Sequence, residues 1–127
     1  MNSHRILVVD DEKLFVDLYR EVLEAEGFEV FSAGNGVECL EIAKKCKPDL
    51  ILLDMKMPEM DGAQTLLKLR EDPEMKDVKV VFLSAFGDPL TDVGDVGFAK
   101  GEGATDYIRK GIGRDEFVAR VRKYLSD

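Results

Sequence analysis

The stretch Leu50-Ile51-Leu52-Leu53-Asp54 constrains this chain more than any other. Four aliphatic residues in succession leave no polar face, so the run suits a strand covered on both sides, as in a parallel sheet. It stops at a carboxylate, and Pro58, Asp61 and Gly62 then punctuate a turn. Asp54 is thereby placed at the carboxyl end of a central strand, where open α/β sheets gather their ligand sites.

The rest of the chain alternates around that strand. Arg5-Ile6-Leu7-Val8-Val9 reads as a first strand ending in Asp10-Asp11. Leu14, Phe15, Leu18, Val22 and Ala25 recur at helical spacing from about Glu12 to Glu26, and Gly27 is a natural stop. Glu29 to Ser32 is a short second strand. Gly34-Asn35-Gly36 is a turn, and Val37 to Lys45 is a second helix, closed by Pro48. A third helix runs from about Ala63 to Glu71, with Leu66, Leu67 and Leu69 as its apolar residues and Asp72-Pro73 as its terminator. Val78 to Leu83 is a fourth strand ending at Ser84, and Ala104 to Arg109 a fifth ending at Lys110. Phe117, Val118, Val121, Tyr124 and Leu125 mark a last amphipathic helix. Strands at about 25-residue spacing with helices between them suit right-handed crossovers and a parallel sheet. The expected fold is α/β: one doubly wound, five-stranded domain in the flavodoxin-like order 2-1-3-4-5, with helices on both faces and no second domain.

Composition excludes several function classes. A net charge of -8 argues against a nucleic-acid footprint or an anionic membrane surface as partner. No apolar run approaches bilayer length and the N-terminus lacks a signal-peptide core, so a cytoplasmic protein is expected. The two cysteines, Cys39 and Cys46, fall in one helix, too far apart for a disulfide, and read as reduced thiols. The single histidine, His4, reads as an exposed residue with no role.

The polar residues at the strand ends carry the chemistry. In a parallel sheet Asp10, Asp11, Asp54, Ser84 and Lys110 share one edge, and strands one and three are neighbours at the switch point. Three carboxylates in one pocket repel unless a cation neutralises them. Hard oxygen donors in that number suit Mg²⁺, which takes a few carboxylates, waters and a phosphate. Lys110 on one side and the Ser84 hydroxyl on the other complete a pocket for a phosphoryl group. A carboxylate can itself be the nucleophile, giving an aspartyl-phosphate. Asp54 fits that role, because Asp10 and Asp11 form the adjacent pair that would hold the metal. Each residue has a duller explanation: one Asp at a strand end is ordinarily a turn former or a helix cap, and one Lys or Ser there means little. The joint placement on successive strand ends is what the duller explanation fails to cover.

These residues also carry a resemblance. Ile6-Leu7-Val8-Val9-Asp10-Asp11, Pro48-Asp49 leading into Leu50–Asp54, Met55-Lys56-Met57-Pro58, Met60-Asp61-Gly62, Leu83-Ser84-Ala85 and Gly103-Ala104-Thr105-Asp106-Tyr107-Ile108-Arg109-Lys110 follow in order and spacing. From about Arg5 to Leu125 the chain resembles a response-regulator receiver domain. The resemblance implies that Asp54 accepts a phosphoryl group from a phosphohistidine on a sensor kinase or histidine phosphotransfer protein. It implies that Asp10, Asp11, Asp54 and the backbone carbonyl of Lys56 hold Mg²⁺. Ser84 and Lys110 would bind phosphoryl oxygens, and Tyr107 matches an aromatic switch position. The switched face would comprise the fourth helix, fifth strand and last helix, read by an effector or a second copy. Such a domain is a signalling phosphoacceptor, not an enzyme beyond its own phosphorylation and dephosphorylation. Lys56 and Phe86 match positions that influence the lifetime of the acyl phosphate.

The chain departs from that pattern in three ways. Gly111, then Ile112-Gly113, follows the lysine where the family usually has a proline, commonly after a cis bond; a cis bond before a non-proline residue costs about 2.5–4 kcal/mol, so a trans bond or a rearranged loop is expected. The segment from Ser84 to Lys110 is longer than usual for the family. It carries Gly87, Gly94, Gly97, Gly101 and Gly103, so the helix begun by Asp88-Pro89 is expected to be irregular and mobile. Three rivals remain at this point. A degenerate receiver would act only as an interaction module; the full acid, hydroxyl and lysine set opposes it and Gly111 favours it. A Mg²⁺-dependent phosphatase of the haloacid-dehalogenase kind needs a second Asp two residues after its nucleophile, where Lys56 and Glu12 stand. A flavodoxin needs a phosphate loop of Ser, Thr and Gly, where Asp10-Asp11-Glu12 would repel phosphate.

Overall fold

The computed structural model describes residues 4–57, 60–85 and 104–126. Its element order is β1 (Arg5–Val9), α1 (Lys13–Ala25), β2 (Glu29–Ala33), α2 (Gly36–Cys46), β3 (Leu50–Asp54), α3 (Gly62–Glu71), β4 (Lys79–Ser84), β5 (Asp106–Arg109) and a C-terminal helix, α4 (Arg114–Leu125). The five strands form one sheet in the order β2-β1-β3-β4-β5, and every pairing is parallel. This is the doubly wound arrangement that the strand spacing implies. The expected fourth helix with its glycines, together with Pro58 and Phe86, lies outside the described residues.

Each strand is sandwiched, which explains its unbroken apolar character. All five residues of β3 are buried. On one face Ile6, Val8, Leu50, Leu52, Val81, Leu83 and Ile108 pack against Tyr19, Val22 and Leu23 of α1 and Phe117, Val118 and Val121 of α4. On the other Leu7, Val9, Ile51, Leu53, Val80 and Phe82 pack against Cys39 and Ala43 of α2 and Leu66 and Leu69 of α3. Both cysteines are free and buried.

Two helix faces differ from the expected ones. On α1 the core takes Tyr19, Val22 and Leu23, while Leu14 and Leu18 are 79% and 50% exposed. The stripe through Phe15 and Tyr19 lies about 100° round the helix from the one through Leu14 and Leu18, and both are apolar, so spacing alone does not choose. The rings win because Phe117 of α4 stacks on Tyr19 at 4.8 Å. On α3, Leu66 and Leu69 are buried but Leu67 is 48% exposed, and Thr65 takes an inward place with its hydroxyl donating to Asp61 O at 2.8 Å.

The helix starts are built from side chains that read at first only as turn formers. Asn35 caps α2 by accepting from Glu38 N at 2.8 Å. Asp61 caps α3 in a reciprocal box with Gln64: its carboxylate accepts from Gln64 N at 2.8 Å, and Gln64 Oε1 accepts from Asp61 N at 3.0 Å. That pairing satisfies two otherwise orphaned donors.

Candidate functional site

Register brings the polar strand ends level. Val9 pairs with Leu53, so Asp10 and Asp54 leave adjacent strands at the same height. Asp54 pairs with Leu83, and Ser84 with Arg109, so Ser84 and Lys110 are each one step further along. The alternation of each strand then sorts the side chains. Asp10, Asp54 and Lys110 continue the inward rows of Val8, Leu52 and Ile108 toward α1 and α4. Ser84 continues the row of Phe82 on the opposite face, and Tyr107, paired with Phe82, shares that face.

Asp10, Asp54 and Lys110 meet. Lys110 Nζ lies 2.7 Å from Asp10 Oδ2, 3.3 Å from Asp54 Oδ1 and 3.3 Å from Glu12 Oε1. Asp10 and Asp54 are 1% and 3% exposed. Asp10 Oδ1 accepts from Glu12 N at 2.9 Å, and Asp54 Oδ1 accepts a longer bond from Lys56 N at 3.4 Å. Burial, and then the Asp10 charge beside it, push the Asp54 carboxyl up to about 7; Lys110 works against both. Burial alone would discharge Lys110, but its carboxylate neighbours hold the ammonium above the ordinary lysine range. The cluster is therefore a buried acid pair that depends on a cation for its charge state.

Asp11 stands on the exposed rim. The carboxylate oxygens of Asp10, Asp11 and Glu12 all lie within 4.8 Å of one another. Such a set of hard oxygen donors fits a divalent cation that keeps several waters, and Asp54 is tied to it through Lys110. Ser84 is fully buried and its Oγ has no hydrogen-bond partner among the described residues. A buried hydroxyl without a partner is costly. Tyr107 is half-buried and Lys56 exposed.

Two glycines hold the floor of the site. A Cβ on Gly62 would sit 2.5 Å from Asp54 O and 2.9 Å from Met55 Cα, and Gly62 N donates to Met55 O at 2.9 Å. The start of α3 is thus pressed on the backbone of Asp54, which only glycine permits. Gly36 does the same between helices, where a Cβ would run into Thr65 Oγ1 and Met60 Sδ. At Lys110 the following peptide is not cis; no cis bond occurs among the described residues, and Gly111 takes φ +93°. A proline ring fixes φ near -65°, so the glycine makes a turn here that the family's usual residue cannot make.

Phe15, Tyr19 and Glu12 were not legible as site residues. Lys110 Nζ lies over the Phe15 ring, 4.7 Å from its centroid. Tyr19 is buried with an unpartnered hydroxyl, and burial, with the site's carboxylates opposing Lys110, pushes it up to about 12. The one signal available was position: an aromatic pair four apart, directly after an acidic triplet, at the start of a helix.

Comparison with known proteins gives the same answer. The family model for the response regulator receiver domain matches residues 6–122. The chain belongs to the response-regulator receiver domain family. This receiver domain is 33% identical over 122 residues, 96% of either chain, to a polar-differentiation response regulator, DivK, of Brucella anthropi. Among solved structures it is similar to a response regulator of Chloroflexus aurantiacus, with a TM-score of 0.87, 30% identity, and 99% and 100% of the two chains covered. It is also similar to the chemotaxis protein CheY4 of Vibrio cholerae, with a TM-score of 0.87, 25% identity, and 98% and 100% covered. Receiver domains are signalling modules of two-component systems, they work with histidine kinase or phosphotransfer partners, and they typically bind Mg²⁺ at an acidic pocket. No helix among the described residues is long and apolar enough to cross a membrane.

Proposed function

We propose that this receiver domain is an active phosphoacceptor, with Asp54 taking a phosphoryl group from a phosphohistidine donor. One observation carries the reading: Asp10, Asp54 and Lys110 converge in a buried cluster on the sheet edge where Ser84 also ends its strand, with a hydroxyl that lacks a partner among the described residues. A carboxylate oxygen of Asp54 attacks phosphorus, the P–N bond to the donor imidazole breaks, and the imidazole leaves with the bonding pair and takes up a proton. Asp10, Asp11, Asp54 and the Lys56 carbonyl would hold Mg²⁺, which when bound would neutralise the carboxylates and the phosphoryl oxygens. Lys110 turns from Asp10 to a phosphoryl oxygen, and Ser84 donates to another. Loss of the Lys110–Asp54 pair and the new bond to Ser84 bias the β4–β5 edge, where Tyr107 lies on the same face. The face including β5, Tyr107 and α4 then meets an effector or a second copy.

Incubating the protein with acetyl phosphate and Mg²⁺ and reading the intact mass tests this. One added phosphoryl group on wild type, absent in Asp54→Asn, is expected; no addition from any donor would leave an interaction module in the receiver fold. By the resemblance, Lys56, two residues beyond Asp54, and Phe86, two beyond Ser84 and outside the described residues, stand at positions where a lysine and a bulky ring could hinder an in-line water. Phosphate loss should quicken in Lys56→Asn and Phe86→Ala, and unchanged rates would refute that.

A further inference from the structure

Lys110 enters the acidic pocket from a backbone that does little to hold its aim. Its N–H donates to Ser84 O at 2.7 Å. Beyond it, Gly111 takes φ +93° and Gly113 starts α4 with no side-chain cap. What fixes the ammonium is lateral. Asp10, Glu12 and Asp54 pair with it, and it lies over the face of Phe15. Phe15 stacks on Tyr19, with ring centroids 5.9 Å apart, and Tyr19 stacks on Phe117 of α4 at 4.8 Å. Three rings therefore make a column from α4 to the ammonium. Its base is set in the core, since Tyr19 and Phe117 are 5% and 3% exposed.

The two kinds of contact differ in how they survive the reaction. On the phosphoacceptor reading, on which this inference rests, Asp10 would exchange Lys110 for a metal ion, and Asp54 would carry a phosphoryl group whose oxygen takes the lysine. The anionic contacts are therefore exchanged at the moment the lysine's aim matters. A ring face neither ligates metal nor titrates, and it attracts a cation through its quadrupole throughout. The geometry points to Phe15 as the positioning residue of Lys110. Braced by Tyr19 and Phe117, its ring keeps the ammonium directed across the pocket toward the Asp54 oxygens while the anionic partners change. Phe15 touches no reacting atom; it acts through Lys110, in place of the backbone constraint that Gly111 lacks.

The test compares phosphorylation rates by acetyl phosphate at saturating Mg²⁺ in wild type, Phe15→Leu, Phe15→Tyr, Lys110→Ala and the Phe15→Leu/Lys110→Ala double variant. Loss of a partly desolvated ring–cation contact should slow Phe15→Leu about tenfold. Phe15→Tyr, which keeps the ring, should restore most of the rate. In the Lys110→Ala background Phe15→Leu should cost nothing further, because its effect passes through the lysine. A wild-type rate in Phe15→Leu, or the same factor lost with Lys110 absent, overturns the proposal. A second measurement needs no activity. In the metal-free protein the Lys110 ε-methylene protons should be shifted upfield by the ring in wild type and Phe15→Tyr, and not in Phe15→Leu; an unshifted wild type also overturns it. A wild type that takes no phosphoryl group sinks the reading of Asp54 instead, and the proton shifts then decide the ring contact alone.

Discussion

At the scale of single residues, Asp54 holds its charge at a cost. Burial and Asp10 raise its carboxyl to about 7, so the folded metal-free protein binds a proton there that the unfolded chain has released. Stability from this group is fully present below the ordinary aspartate value and falls as pH rises through about 7. Each unit of such a shift is worth about 1.4 kcal/mol. Asp54→Asn should therefore be more stable than wild type at pH 8 in the presence of chelator, by about 1 kcal/mol or more. The gap should narrow at pH 5 and close only near the ordinary aspartate value, and urea midpoints across that range measure it. Added Mg²⁺ should narrow the gap at pH 8 if Asp54 is one of its ligands, because the ion would then bind the wild-type site more tightly than the variant. The place of Asp54 at the end of β3 could be read from sequence because the strand before it admits one interpretation. Phe15 could not: its partner Lys110 is brought to it by β5, and nothing in a helical apolar pattern separates a ring that packs under a cation from one that packs in the core.

At the scale of elements, strands were more legible than helix faces. An apolar run of β-branched and aliphatic residues ending in a carboxylate has one reading in an α/β protein. The boundaries of β1 and β3 follow from it directly. The face of α1 was not fixed by spacing, since Leu14 and Leu18 compete with Phe15 and Tyr19, and the choice is made by Phe117 from the far end of the chain. The start of α3 was legible as a turn but not as a cap, because the reciprocal bonds of Asp61 and Gln64 depend on backbone geometry. That cap bears on the site, as it anchors the helix whose first residue rests on Asp54. Asp61→Ala should lower stability by about 1 kcal/mol, measured by urea unfolding. Because Asp61 is exposed and touches neither Asp10 nor Lys110, Mg²⁺ affinity should fall far less than in Asp11→Ala.

At the scale of the whole molecule, the site sits between two halves of unequal stiffness. On one side Gly62 bears on the backbone of Asp54, α3 runs back to Thr65, and Thr65 meets Gly36 at the head of α2. At both glycines an added Cβ would clash, so the contacts are close, and packed interiors transmit displacement instead of absorbing it. On the other side β4 ends in a hydroxyl with no partner among the described residues, and β5 is followed by a turn built on Gly111. Arg120 of α4 binds this edge, donating to Tyr107 O at 2.7 Å and pairing with Asp106 at 3.3 Å. When beryllofluoride with Mg²⁺ is added as a phosphoryl mimic, hydrogen exchange in α2 and α3 should stay nearly constant, while amides of β4, β5 and the Lys110 turn should change protection. Uniform change across both halves would contradict this division. On the phosphoacceptor reading, the two abutting glycines make the molecule a vise with one fixed jaw: α2 and α3 would not give as Asp54 gained a phosphoryl group, and the displacement would be delivered to the opposite jaw, where a partner could feel it.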